Sequence, residues 1–214
     1  YVQNWVYPFD LSPGETIGVI AAHDISGDGH PDMIVAAGQG ITIVDGVTRS
    51  VIRRITDGYQ AHYSLEVADL NSDGQEEIVY LGANDNFFPS QLTINVYDAD
   101  SLQRVWQSAV LDLGTSLAVG NVDNDPALEI VTAKGYVYDG ATHANQWAYG
   151  PGFGFLVDTG DQDNDGIEEI VGAVDQIKQA ALKNVTSVES VGKAVEELTR
   201  QATSLANEIS KFRV

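Results

Sequence analysis

The sequence predicts a mainly β chain: a partial β-propeller of about three to four blades, cut at both ends, followed by a long C-terminal α-helix. Acidic nine-residue loops recur four times in the same frame, and strand-like runs flank each of them. After residue 173 the alternating pattern gives way to heptads. Two domains are therefore expected, 1–173 as β repeats and 174–214 as a heptad-patterned helix, a coiled-coil element.

With 214 residues, 43% of them hydrophobic and 20% charged, the chain has the composition of a folded protein rather than a disordered one. Its net charge of −20 is unevenly placed. Residues 174–214 carry six Lys/Arg against five Asp/Glu, which leaves −21 on 1–173. So acidic a surface repels nucleic-acid phosphates and anionic lipid, and makes a cation the natural partner. The absence of cysteine excludes disulfides, thiolate zinc sites and a Cys nucleophile. No apolar run approaches the roughly 20 residues of a membrane span, and the chain opens at Tyr1 without a charged and apolar leader.

Four segments align without gaps: DISGDGHPDMIV from Asp24, DLNSDGQEEIVY from Asp69, NVDNDPALEIVT from Asn121 and DQDNDGIEEIVG from Asp161. Their starts lie 45, 52 and 40 residues apart, the spacing of a propeller blade of four short strands. In the first unit, runs from Ile17 to Ala22, Met33 to Ala37, Ile41 to Asp45 and Val51 to Ile55 read as those strands. The second unit repeats them at Leu65 to Asp69, Glu77 to Leu81, Leu92 to Asp98 and Arg104 to Ala109. A tryptophan keeps phase in the last strand, with Trp106 and Trp147 standing 15 and 14 residues before the next loop. By the same phase, residues 1–8, with Trp5, read as the outermost strand of a preceding unit, and the fourth unit stops after two strands near Gly172. A closed ring would need further strands, from a longer chain or another molecule.

Counted from the first residue of each loop, side-chain oxygens recur at positions 1, 3, 5 and 9. They belong to Asp24, Ser26, Asp28 and Asp32; Asp69, Asn71, Asp73 and Glu77; Asn121, Asp123, Asp125 and Glu129; and Asp161, Asp163, Asp165 and Glu169. Alternate residues of a tightly curled loop point to one centre, and position 7 (His30, Gln75, Ala127, Ile167) is placed to add a backbone carbonyl. Calcium takes 6–8 oxygen ligands, so such a loop suits it. Gly29, Gly74 and Gly166 at position 6 allow the sharp turn.

An EF-hand needs a bidentate Glu at position 12 between helices, whereas Val35, Tyr80, Thr132 and Gly172 stand there, in strand-like sequence. Zinc is disfavoured by oxygen donors without Cys or convergent His, and His23 and His30 read as surface or turn residues. Carboxylates this crowded repel one another unless a cation lies between them. By charge count loop 4 is expected to bind most tightly. Loop 3, with Asn121 first and Pro126 at the glycine position, is expected to be the least suited.

DISGDGHPD, DLNSDGQEE and DQDNDGIEE resemble the FG-GAP or VCBS repeats of integrin α-subunit propellers and many secreted microbial proteins. The resemblance covers about 170 residues and implies a β-propeller with calcium in loops between the first two strands of each blade. It also implies an extracellular or cell-surface setting, in adhesion or recognition of a protein or glycan ligand. INVYDADSLQRVWQS is in addition similar to quinoprotein-type blades, which share the architecture.

No GxSxG, HExxH or Walker loop is present, and GPGFGF and GQGITI read as turns, so a non-enzymatic role is expected. A polysaccharide-active enzyme on a propeller scaffold is the lesser alternative. From Ile177 to Phe212 apolar or small residues recur in heptads, at Ala181, Val188, Val195, Ala202 and Ile209 and at Ile177, Val191, Leu198, Leu205 and Phe212, broken only by Asn184. This predicts a helix of about 36 residues, roughly 55 Å long, that self-associates through its seam. QIKQAALKNV and VEELTRQATSLANEISKFRV resemble the end of the cytoplasmic bundle of methyl-accepting chemotaxis receptors. The receptor hairpin is absent, so no signalling residue is carried over, but the likeness leaves a sensory module coupling propeller to bundle as the alternative to a calcium-binding extracellular module.

Overall fold

The computed structural model describes residues 17–38, 40–56, 61–83, 92–172, 191–195 and 198–202. The chain separates into two compact units, Tyr1–Ala173 and Val174–Val214. The first is built of antiparallel strands in simple up-and-down order. β1 (Ile17–His23), β2 (Asp32–Ala37), β3 (Gly40–Val44) and β4 (Val51–Thr56) form one four-stranded sheet. A second contains β5 (Ala61–Ala68), β6 (Glu77–Ala83), β7 (Thr93–Asp98) and β8 (Arg104–Gln107). A third contains β9 (Leu117–Gly120), β10 (Glu129–Thr132), β11 (Tyr136–Asp139) and β12 (Asn145–Ala148). β13 (Val157–Gly160) and β14 (Glu169–Gly172) make a two-stranded fourth sheet.

The strand pattern follows from burial on two faces. Side chains alternate across a strand, and the central strand β6, EIVYLGA, is buried along its whole length. Its Ile78 and Tyr80 pack with Ile34, Ile41, Ile43 and Leu65, towards the first sheet. Val79, Leu81 and Ala83 pack with Leu117, Ile130 and Tyr138, towards the third. A third cluster joins Ala118, Val131 and Val137 to Val157 of the fourth sheet. Sheets with both faces covered need continuous apolar runs rather than alternation, which is why EIVYLGA and TINVYD read as they do. Each fully buried aliphatic side chain contributes about 1.5–3 kcal/mol.

The first strands also neighbour one another, β1 against β5, β5 against β9 and β9 against β13. Each acidic loop lies between the first and second strands of its sheet, so the loops come out at corresponding places on successive sheets. The tryptophan phase acts between sheets too. Trp106 of β8 crosses to the third sheet, where it stacks on His143 at 4.9 Å and meets Tyr138 at 5.4 Å.

Strand expectations in the first two units hold to within a few residues, the largest differences being β5, which begins at Ala61, and β8, which ends at Gln107 rather than Ala109. Leu92 contributes an isolated bridge to Leu111 ahead of β7. The outermost strand expected over residues 1–8, with Trp5, lies outside the described residues. In the second unit the described residues, 191–195 and 198–202, are helical and exposed. The remainder of the expected helix over 177–212, including Asn184, lies outside them. Among the described residues no helix is long and apolar enough to cross a membrane.

Candidate metal centres

The loops are held by a hydrogen-bond scheme that repeats from sheet to sheet. The carboxylate at position 5 accepts the N–H of position 7 in all four, from His30 to Asp28, Gln75 to Asp73, Ala127 to Asp125 and Ile167 to Asp165, at 2.8–2.9 Å. At position 3, the side-chain oxygens of Asn71, Asp123 and Asp163 accept the N–H of position 5. The position-1 aspartate accepts the N–H groups of positions 5 and 6, as Asp24 does from Asp28 and Gly29, Asp69 from Asp73 and Gly74, and Asp161 from Asp165 and Gly166. Gly29, Gly74 and Gly166 take φ of +85°, +86° and +93°, the left-handed turn for which glycine was expected.

Position 9 closes the loop across its neck. Glu77, Glu129 and Glu169 each accept, through one Oε2, the N–H of position 2, donated by Leu70, Val122 and Gln162 at 2.8–2.9 Å. Asp32 is one methylene shorter and uses both oxygens on backbone, accepting from Ser26 at 2.7 Å and Gly46 at 3.1 Å. The acid before Met-Ile-Val or Ile-Val is thus the first strand residue and a loop clamp at once.

Loop 3 departs from the scheme in a way that favours a cation. Pro126 has no N–H to offer position 1, and Asn121 instead donates its Nδ2 to the carbonyl of Asp125 at 3.2 Å. Its Oδ1 is left buried without a donor, and so is Oε1 of Glu129, a residue wholly removed from solvent. Asp123, Asp125 and Glu129 bring carboxylate oxygens within 4.8 Å of one another, and so do Asp161, Asp163 and Glu169 in loop 4. Among the described residues these are the groups of three acids drawn so close. Loops 1 and 2 spread their acids more widely, and their Ser26 and Asn71 are neutral donors.

Burial pushes the Glu129 carboxyl up to about 7, assisted by Asp123, Asp125 and Asp139 and opposed by the Val122 N–H. Glu77 is raised for the same first reason. Orphaned oxygens and a raised carboxyl beside two other acids form a set that a positive charge would complement. The donor set of loop 3, all oxygen with Asn121, Asp123, Asp125, Glu129 and the Ala127 carbonyl available, fits a hard divalent cation such as calcium. Loop 4 fits by carboxylate count.

A further set of acids escaped the repeat alignment. Asp98 and Asp139 end their third strands and Asp45 directly follows its own, and all three cap the turns that follow, accepting the N–H of Ser101, Thr142 and Thr48. Backbone Thr48 and Thr142 hold the Asp45 and Asp139 carboxyls below the ordinary range, and the Ser101 hydroxyl does so for Asp98. The next residue ties each turn to the loop: Ala99 donates to Glu76 O, Gly140 to Leu128 O and Gly46 to Asp32. The signal was present in sequence as VDGVT, YDADS and YDGAT. His23 and His30 lie as expected, the first paired with Glu76 at 3.1 Å and the second exposed.

An FG-GAP-like repeat family matches residues 24–80, from the first residue of loop 1 to β6, so that loops 1 and 2 fall inside the match. No curated protein matches the chain. The crystal structure of the V. cholerae biofilm matrix protein Bap1 is similar over 74% of this chain at 22% identity, with a TM-score of 0.48, and this chain spans 28% of that one. Residues 24–80 are thus similar to an FG-GAP-like repeat, and loops 3 and 4 continue the frame of loops 1 and 2 beyond the matched stretch.

Proposed function

We propose that residues 1–173 form consecutive blades of a β-propeller whose loops bind calcium, and that the module works outside the cell in adhesion, ligand recognition or structural assembly. It is a binding module rather than an enzyme, and it self-associates through its C-terminal helix. The observation that carries the calcium reading is the loop 3 constellation, in which Asn121 Oδ1 and Glu129 Oε1 are buried without donors beside Asp123 and Asp125. Successive four-stranded antiparallel sheets whose first strands adjoin support the blade reading. The family match over 24–80 supports the extracellular one.

Calorimetric titration of the full chain tests it. Calcium is expected to bind at two or more sites, with magnesium weaker because it demands near-ideal octahedral geometry and gives up its waters reluctantly. Glu129→Gln should remove one site from the count. No heat from calcium at millimolar concentration would end the reading.

A further inference from the structure

Resting on that calcium reading, we infer that loops 3 and 4 bind their ions cooperatively, coupled through the single peptide unit between Asn121 and Val122. The N–H of this unit donates to Glu129 Oε2 at 2.8 Å, and its C=O accepts the N–H of Glu168 at 2.7 Å. Glu168 is covalently next to Glu169, which reaches back to its own loop at Gln162. The position-9 acids of two neighbouring loops are therefore joined by one amide and one adjacent residue.

The path is short and directional. A hydrogen bond at one end of an amide polarises it and strengthens the bond at the other end. An ion in loop 3, held by Glu129 among its ligands, fixes that side chain against the Val122 N–H. The Asn121 carbonyl then becomes a better acceptor, and holds Glu168 where Glu169 meets loop 4. Linkage runs equally in reverse. The contact is also close in space: a side chain on Gly120 would fall on Thr159 Oγ1 and Glu168 Oε2. Between loops 2 and 3 the corresponding bond, Leu128 N–H to Leu70 O at 2.9 Å, uses the amide after the one that Glu77 clamps. Coupling there passes through a Cα and is expected to be weaker.

The molecule supplies its own control. Position 8, which carries the donor in loops 3 and 4, is Pro31 in loop 1. Glu168→Pro copies that residue into loop 4, deleting the N–H while keeping every carboxylate of positions 1, 3, 5 and 9.

The test is a calcium titration of the full chain followed by amide resonances, Val122 reporting loop 3 and Gln162 loop 4. In the native chain the two should move together. Silencing loop 4 with Asp161→Asn and Asp163→Asn should raise the loop 3 midpoint at least about fivefold, the lower end of ordinary coupling, and silencing loop 3 with Asp123→Asn and Asp125→Asn should raise that of loop 4 by the same factor. In Glu168→Pro both loops should bind, and silencing one should leave the other within about twofold. A Val122 midpoint unmoved by silencing loop 4 in the native background overturns the coupling while leaving calcium binding intact. If neither amide responds at about 10 mM calcium, the metal reading itself fails and the coupling with it.

Discussion

Loops 1 and 3 share one nine-residue frame and meet the same electrostatic problem in opposite ways. In loop 1, Asp24 and Asp32 spend their oxygens on backbone amides, those of Gly27, Asp28, Gly29 and Ser26 in the loop itself and of Gly46 in the turn after β3. In loop 3 the equivalent Asn121 and Glu129 each keep a buried oxygen with no donor. Two substitutions make the difference. Proline at position 6 withdraws a donor from position 1, and glutamate for aspartate at position 9 satisfies one clamp and leaves an oxygen over. A loop that satisfies itself tolerates an empty centre, whereas one that leaves oxygens over is costly until a cation arrives, at about 1–3 kcal/mol for each unsatisfied group.

The largest expected effect is therefore that of calcium on the whole module. A ligand at 100 times its dissociation constant stabilises the fold by about 2.7 kcal/mol per site, and two such sites should raise the melting temperature by roughly 10–20 °C in a protein of this size. Chelation that leaves melting unchanged would show that the carboxylates manage without a metal.

Single substitutions sharpen the contrast, because they should act with opposite signs. Glu129→Gln lets an amide donate towards Asp123 and Asp125, and should raise the calcium-free melting point by a few degrees while weakening loop 3 binding at least tenfold. Asp32→Asn turns one of two acceptor oxygens into a donor, so that either the Ser26 or the Gly46 N–H loses its partner at a residue 1% exposed, and should cost about 1–3 kcal/mol with or without calcium. Equal responses to calcium in the two variants would erase the distinction between the loops.

Titration gives a smaller effect of determinate sign. The Glu129 carboxyl stands near 7 in the fold against an ordinary 4.5, so the native state binds more protons than the unfolded chain between those values. Its contribution to stability is favourable below about 4.5 and is lost as pH rises to 7. Calcium-free protein should melt a few degrees lower at pH 7.5 than at pH 5, and Glu129→Gln should flatten that slope. Asp45, Asp98 and Asp139, held low by their turns, act in the other direction but only at more acid pH. A slope unchanged in Glu129→Gln would place its origin in the overall charge of −20 instead.

Much of this was legible in the sequence, because the features that matter are local. The strands of the first two units follow from apolar runs bounded by acidic loops, and position 9 was identifiable because it always precedes Ile-Val or Met-Ile-Val. The hydrogen bonding inside loop 3 was not legible. Pro126 and Asn121 read separately as two defects, and only their geometry shows them linked: where proline offers no N–H, Asn121 turns its Nδ2 to the Asp125 carbonyl and keeps Oδ1 without a donor. Ser72 donating to the Pro126 carbonyl was likewise hidden, being a contact over 54 residues. The turn aspartates Asp45, Asp98 and Asp139 give a weaker sequence signal, one acid per turn without the alternating oxygens that mark the loops.

The smallest expected effect on the metal centres comes from the C-terminal unit, and it tests whether the two units act independently. Val191, Val195 and Leu198 stand at helical spacing and are 63%, 55% and 64% exposed, a stripe on one face of the helix. A lone helix with an apolar stripe gains most of its stability from packing that stripe, which other helices would supply. Replacing Val195 and Leu198 together by glutamate would put charge into the seam while leaving helix propensity nearly unchanged. Light scattering of the full chain should then fall from an oligomer to the 23.0 kDa monomer, and the calcium-dependent rise in melting should stay within about 1 °C of the native value. An unchanged assembly would mean that self-association uses some other surface. A reduced calcium response would mean that helix and sheets share their stability, because a substitution confined to one unit alters the ion-binding of the other only if the two unfold together.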